Sequence, residues 1–519
     1  MKKNILYSIL VSCTAVLALV SCSKEYLDTQ PEYAASPDVI FSDADAARLA
    51  VNGLSKMMTT QYLSTQGMNG EGTIKSWYGN FTGNDMQKCN QTGWAALWNS
   101  TYQERDTSPY DYYPWFYYYK LVGNANQVIC GIETDGEDVA SELKFIKAQA
   151  LCFRAYSFFM LSQLYSHRWV DSNNGADPGI VLRTDLSDGA QGLSTLAETY
   201  KQVYDDLDLA ISLFKASGIS RGKGEFYAPD LEVAYAIYAR AALTREDWAT
   251  AAQYAALARA DHPLMSESQY LDSGFNEPND EWIWGVYEAS DQTIYYYSFY
   301  AYQGSNASSS NCRSYPTAIS KELYDQIPET DSRRRLWLEP TEEEYAESKL
   351  NKTTGRSTGL LQTRAFKEFG DKLYSTSLVF MYMQFKHMCS FYPGGGSFNI
   401  FRSAEMYLTE AEADCHLNKE AEAQKLLNEL NKNHDSAYNC TKTGDDLLTE
   451  VKLYRRIDLW GEGFDWFDYK RWKQPIVRKS IADGGSFHST FAITLKPTDA
   501  NNWTWVIPNK EKDYNDLIK

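Results

Sequence analysis

Histidine is scarce in this sequence, and cysteine never pairs at short spacing. The six His (His167, His262, His387, His416, His434 and His488) stand apart from one another. Neither HExxH nor GxSxG occurs, so the zinc-hydrolase helix and the serine-hydrolase elbow have no support. Nine Cys are scattered without a CxxC pair or a metal-like Cys/His spacing, which excludes the common zinc sites. Cys13 falls in a leader and Cys22 has a role of its own, leaving seven. An odd number rules out a complete disulfide framework, and buried free thiols are the default. Positive charge is short as well: 50 Lys and Arg face 68 Asp and Glu, for a formal charge of −18. With no basic block anywhere, nucleic acid and anionic membrane surfaces are poor partners. Beyond the leader no apolar run is long enough to span a bilayer. The densest, residues 148–164, carries Arg154 in its middle and reads as a buried helix. Gly394 to Gly396 lacks the Lys-Ser/Thr that follows a phosphate loop, so it reads as a turn.

Aromatic residues are what the chain has in excess. They make up 14% of 519 residues, with 38 Tyr. Tyr joins an apolar ring to a polar tip, which suits surfaces that meet ligands. At 44% the hydrophobic fraction allows a sizeable core. Residues 1–21 read as a leader: Lys2 and Lys3, an apolar run, then Leu19-Val20-Ser21-Cys22. Small residues before a Cys match a bacterial lipobox, which makes Cys22 the lipidated first residue of the mature chain. Loss of Lys2 and Lys3 takes the charge from −18 to −20. Residues 22–41, with Pro31 and Pro37, read as a tether, and residues 42–519 as one domain.

Two stretches look like tetratricopeptide-type helical hairpins. In residues 231–260, Leu231, Ala234, Tyr235, Tyr238, Ala239 and Ala242 share one helical face, and a second face starts at Trp248 with Asp247 as its expected N-cap. In residues 402–430, Ala404, Tyr407, Leu408, Ala411 and Cys415 make one face, Asn418-Lys419 breaks it, and Ala423, Leu426, Leu427 and Leu430 make the next. One pair cannot bury its own apolar face. About 140 residues separate the two, so they are expected to pack as one frame with a large insertion rather than as a continuous solenoid. Further helices are expected at 42–58, 115–131, 145–165, 195–214, 319–324 and 447–460. Strands are expected at 281–287 and 378–386, and loop at 67–93 and 304–311. Residues 333–377 read as irregular. The fold class is mostly α: a frame over about 42–260 and 400–472, and an irregular region with short strands over about 261–399 plus the loops of 60–115.

Several landmarks agree in order along the chain. They are the lipobox followed by SKEYLD (23–28), NANQVI (124–129), FRAY (153–156) with Leu164-Tyr165, LYDQIPETDSR (323–333), RSAEMYL (402–408), EAEA (410–413), LYRR (453–456) with Glu462-Gly463-Phe464, and Val506-Ile507-Pro508. Jointly they resemble the SusD/RagB family, the outer-membrane glycan- or nutrient-binding lipoproteins of Bacteroidetes. Departures are Tyr454, where the family usually has Glu, and Ser166-His167-Arg168 after the long helix. The resemblance implies a tetratricopeptide-like frame, a ligand site in the loop-rich region, no catalysis, no cofactor, and a SusC-type TonB-dependent transporter that the lipoprotein covers as a lid.

Flat rings stack on the C–H faces of sugars while amides and carboxylates bond the hydroxyls. Aromatics in segments without a helical period are therefore the candidates: Trp77 and Tyr78 near Asp85, Trp94 and Trp98 beside Asn99, and Tyr296 and Tyr300 ahead of Arg313. Trp94, Trp98 and Tyr102 recur every four residues, so a short packed helix competes for them. Arg455 and Arg456 read as ion-pair partners of acids such as Glu462, and Glu405, Glu410 and Glu412 as structural or solvated. The expected function is a cell-surface, lipid-anchored glycan-binding protein, with a peptide nutrient as the other ligand class. An anchored glycoside hydrolase and a helical protein-binding scaffold are the rivals.

Overall fold

The computed structural model describes residues 41, 43–63, 67–90, 94–134, 139–290 and 298–518. Cys22, the leader, the tether and Tyr296 lie outside them. Helix α1 (Ala44–Met57) starts where Asp43 accepts from the Asp45 and Ala46 amides and buries Ala47, Val51 and Leu54. Ser108 caps α2 (Pro109–Gly131), whose first position is Pro109. This helix begins six residues earlier than its apolar periodicity suggests. Helix α3 (Ser141–Tyr165) is buried on nearly all sides. Arg154 survives there because Asp206 of α4 (Leu196–Ser217) pairs with it at 2.6 and 2.8 Å. Thr195 and Glu198 form a capping box at the start of α4, and Gly218 closes it with φ 64°.

Both hairpins are present, as α5 (Leu231–Thr244) with α6 (Trp248–Arg259), and α7 (Ser403–His416) with α8 (Glu420–Lys432). Asp247 stands at the N-cap position of α6, but its side chain makes no cap bond. It accepts from the Tyr204 hydroxyl instead, at 3.3 Å. The first hairpin turns at Glu246 (φ 64°) and the second at Asn418 (φ 59°). Helix α6 packs directly on α7. Small residues make that approach possible: Ala242, Leu243, Ala251, Ala252 and Ala413 form one buried cluster between the hairpins. Arg240 of α5 then grips Glu405 of α7 with two bonds of 2.6 and 2.7 Å, and Arg259 reaches Glu410 at 2.7 Å. The hairpins thus form one frame, as expected, and these glutamates belong to it.

Helices α9 (Gly444–Asp458) and α10 (Asp465–Arg471) close the frame. Arg455 pairs with Asp468 and Arg456 with Asp85, both at 2.7 Å. Neither meets Glu462, because Arg402 and Lys386 already hold that carboxylate at 2.8 and 2.7 Å. The strands among the described residues form four antiparallel pairs: β1 (Met86–Lys88) with β3 (Thr317–Ile319), β2 (Trp282–Val286) with β6 (Phe398–Arg402), β4 (Arg356–Ser357) with β5 (Val379–Phe380), and β7 (Ile476–Val477) with β8 (Thr494–Leu495).

Local assignments differ from the sequence pattern in further places, one being 304–311, where the short helix Ser310–Ser314 takes the last two residues of the expected loop. Residues 67–93 are not all loop: a turn of α-helix (Gly70–Thr73) runs into a π-helix (Ile74–Phe81), and β1 follows. At 319–324 a strand takes the first residue, and the helix is only Lys321–Tyr324, capped by Ser320. Only Val379–Phe380 of 378–386 is strand. Two helices, Glu342–Lys349 and Leu360–Glu368, occupy part of the polar 333–377 segment. The seven described cysteines are all free thiols, with Cys130 exposed and Cys415 half-buried.

Candidate functional site

The two segments singled out for ligand binding are brought together. Strand β1 pairs with β3, the Asn90 amide donates to the Ser314 carbonyl at 3.4 Å, and Lys88 donates to the Tyr302 carbonyl at 2.5 Å. Trp77 meets Tyr302 edge-on at 5.4 Å. Most of the named side chains, however, lie inside this junction rather than on it.

Trp77, Tyr78, Trp98 and Tyr300 are each 0–1% exposed. The rings expected in loops are held in helical turns: Trp77 in the π-helix and Tyr300 in the turn Phe299–Gln303. Trp98 stacks on Phe81 at 4.4 Å, which is the packed-helix outcome of its four-residue spacing. Tyr78 donates to the Tyr110 carbonyl at 2.6 Å, and Tyr300 donates to the Ser397 carbonyl at 2.9 Å. Asp85 is buried under Arg456, which binds it through two bonds of 2.7 Å. In this conformation none of the five presents a face to a ligand. Local periodicity failed here because a π-turn has no 3.6-residue signature. The π-helix and the turn Ala95–Trp98 are fastened from a distance: Arg478 donates to the Phe81, Gly83 and Trp98 carbonyls at 3.1, 2.8 and 3.0 Å.

Trp94, Asn99 and Arg313 are half-buried and so keep a solvent edge. Trp94 belongs to a ledge whose hub is the buried Trp77. The Trp77 ring lies 5.5 Å from Trp94 and 5.5 Å from Tyr110, and Tyr110 stacks on Tyr102 at 4.8 Å. Arg105, exposed, sits over the Tyr102 ring at 5.4 Å. Trp94, Tyr110 and Tyr102 are thus three half-buried rings fixed at defined angles on a rigid base. Gly67 (φ 86°) is required beneath it, since a Cβ there would come within 2.3 Å of Trp77 and 2.1 Å of the Tyr302 hydroxyl.

On the β3 side, Arg313 donates to the Ser308 carbonyl at 2.8 Å and to the Thr376 hydroxyl at 2.9 Å, and lies 5.5 Å from the Tyr374 ring. Tyr374 meets Tyr392 edge-on at 5.7 Å, and Tyr392 is 64% exposed. Asn99 donates to the Thr490 carbonyl at 3.0 Å, while its buried carbonyl oxygen has no partner among the described residues. Tyr110, Arg105, Tyr374 and Tyr392 escaped the sequence reading. Tyr110 starts a helix whose cap, Ser108-Pro109, was visible, whereas nothing local marks Tyr374 or Tyr392.

A deep polar cleft lies elsewhere, at the joint of the frame, lined by Glu71, Lys75, Tyr156, Arg240 and Glu462. It holds only about 30 Å³, room for a water and no sugar. Its charges neutralise one another. Burial pushes Glu71 up, although the Tyr156, Tyr118 and Tyr117 hydroxyls bond it. Burial lowers Lys75 to about 7. Burial would raise Glu462 too, but Arg402 and Lys386 outweigh it and hold the carboxylate well below its usual range. Glu71 is held by tyrosine hydroxyls and Glu462 by Arg402 and Lys386, so neither stands free in this cleft as glycosidase chemistry requires.

Comparison with known proteins agrees with this architecture. The model described as SusD family matches residues 251–516. The chain belongs to the SusD family. A second family model, described as starch-binding associating with outer membrane, matches residues 25–243. Among solved structures, a SusD-like carbohydrate binding protein from Bacteroides vulgatus is 22% identical with a TM-score of 0.72, covering 92% of this chain and 97% of that one. A SusD superfamily protein from Bacteroides thetaiotaomicron is 22% identical with a TM-score of 0.70, covering 92% of this chain and 99% of that one. At these identities the likeness is one of fold. A comparison with curated proteins found no match.

Proposed function

We propose that this SusD-family protein is an outer-membrane lipoprotein that binds glycans at the cell surface and passes them to a TonB-dependent transporter, without cleaving them. The observation that carries the reading is the ledge: three half-buried rings, Trp94, Tyr110 and Tyr102, on a Trp77 base, with Arg105 over the Tyr102 ring to serve hydroxyls. Rigid rings with one open edge stack on pyranose faces at little entropic cost. The carbohydrate binding protein of like fold and the matching family, starch-binding associating with outer membrane, support the same class.

A panel of neutral oligosaccharides, read out for both binding and products, tests the reading. Trp94→Ala and Tyr102→Ala should each weaken binding several-fold, at about 1 kcal/mol per ring, with the melting temperature nearly unchanged. Trp77→Ala should instead cost about 3–5 kcal/mol of stability, because its ring is wholly internal. Oligosaccharide length should stay constant on long incubation. Enzyme-dependent shortening that survives repurification would decide for a hydrolase, and unaltered binding in both ledge variants would move the site elsewhere.

A further inference from the structure

Helix α2 carries a second aromatic surface that the ledge does not use. Tyr112, Phe116 and Lys120 recur every four residues and share a helix face, whereas Tyr110, two positions from Tyr112, points to the opposite side and joins the ledge. Tyr112 and Phe116 are half-buried, with ring centres 5.7 Å apart. Behind them Trp115 and Tyr119 form a fixed floor. The Trp115 indole donates to Glu511 at 3.1 Å, and the Tyr119 hydroxyl donates to the Val181 carbonyl at 2.8 Å. The opposite wall is the C-terminal segment, with the short helix Asn509–Lys512 and then Tyr514. Asn515 pins that wall by donating to the Gln191 carbonyl at 2.8 Å and to Glu511 at 2.9 Å. Between the walls runs an open groove of about 680 Å³, within the range of ligand pockets.

Two features point to a class of ligand. Tyr514 is 91% exposed and lines the same groove as Tyr112. Such exposure leaves both of its faces open for a stacked ring. The second feature is charge. Lys510 stands 4.5 Å from the centre of the Tyr112 ring and Lys120 5.9 Å from that of Phe116. Neither ammonium has an ion-pair partner among the described residues, in a chain with 68 acids. Of the two acids that line the groove, Glu511 is taken up by Trp115, Asn515 and Arg183, and Asp513 is on the exposed rim. Two adjacent rings bracketed by two unpaired cations suit a flat-faced ligand that carries negative charge. We propose that this groove is a second saccharide site, selective for sugars bearing a carboxylate, the rings stacking on the pyranose and Lys120 and Lys510 pairing with the uronate.

The site stands apart from the ledge, and its test separates the two. The purified protein is titrated with tetragalacturonate, an alginate tetrasaccharide and a hyaluronan hexasaccharide, and with methyl-esterified tetragalacturonate as the neutral control. At least one uronate should bind, more weakly as salt rises, and the ester should bind about tenfold more weakly than the free acid, the scale of one charge-assisted contact. The double variant K120A/K510A should weaken uronate binding about tenfold or more, and Tyr514→Ala about threefold or more. All three side chains are exposed, so thermal melts should be unaltered. Trp94→Ala should leave uronate affinity unchanged while it weakens binding of neutral glycans at the ledge. Failure of all three uronates at millimolar concentration overturns the proposal. So does equal affinity for the ester, unaltered affinity in the lysine variant, or loss of uronate binding in Trp94→Ala, which would place the ligand on the ledge.

Discussion

Asp111 shows how a single residue can be misplaced by its own chemistry. Its side chain is fully buried in the first turn of α2, and neither carboxyl oxygen finds a partner among the described residues. Burial, with Asp106 adding to it, raises its pKa to about 9, so the group is neutral in the fold at pH 7. A raised folded pKa means that its contribution is full below the unfolded value of about 3.9 and is lost as pH rises through about 9. Asp111→Asn removes that titration. The variant should melt higher than the parent by at least about 2 °C at pH 8, and the gap should shrink as pH falls toward 4. A gap that is the same at both pH values would show that Asp111 is solvated or ionised in the fold. At the same scale, the fate of Trp77 and Trp94 separates two roles that look alike in sequence: a ring that builds a surface and a ring that is the surface.

Among elements, the critical contact is α5 against α7. Alanines bring the helices close, and Arg240 lies along Glu405 and over the Phe401 ring, 3.5 Å away. A buried pair of this kind contributes little net stability, but either partner alone is a buried charge without its counterion. Arg240→Ala and Glu405→Ala should each cost about 3–5 kcal/mol in urea unfolding. The double variant with Met and Leu at these two positions should recover most of that loss. If the double variant is as unstable as the sum of the singles, the pair is not what joins the hairpins. The stack of Tyr238 on Tyr254, at 4.0 Å, fixes α5 on α6 in the same way.

For the whole molecule, the frame and the loop-rich half share one hydrophobic core that runs from α1 to the C-terminal segment. Buried ion networks cross it, with Arg402 of β6 reaching Glu281, Asp458 and Glu462. The site-bearing loops are therefore not an appendage and cannot be removed without opening the core. Cys22→Ala tests the anchoring at this scale, since the Leu19-to-Cys22 junction motivates a lipid on Cys22. The variant should move from the membrane fraction to the soluble one, and unchanged fractionation would exclude acylation there.

Periodicity alone determined the two hairpins, the long helices and the mostly α class, because those elements bury one regular face and a 3.6-residue repeat is written in the chain. The Arg154 helix was legible too, as an apolar run with a charge that only a buried partner explains. Family landmarks spread over the whole chain gave the class. The candidate site was legible only as a pair of segments. Which rings face solvent was decided by contacts between residues hundreds of positions apart. Arg478 ties the Phe81 and Trp98 carbonyls, Tyr302 covers Trp77, and the C-terminal segment walls off the face of α2. A Trp is as suited to a core as to a sugar, so composition cannot separate Trp77 from Trp94. Only tertiary packing does, by leaving one edge of a ring in water and closing every edge of its neighbour.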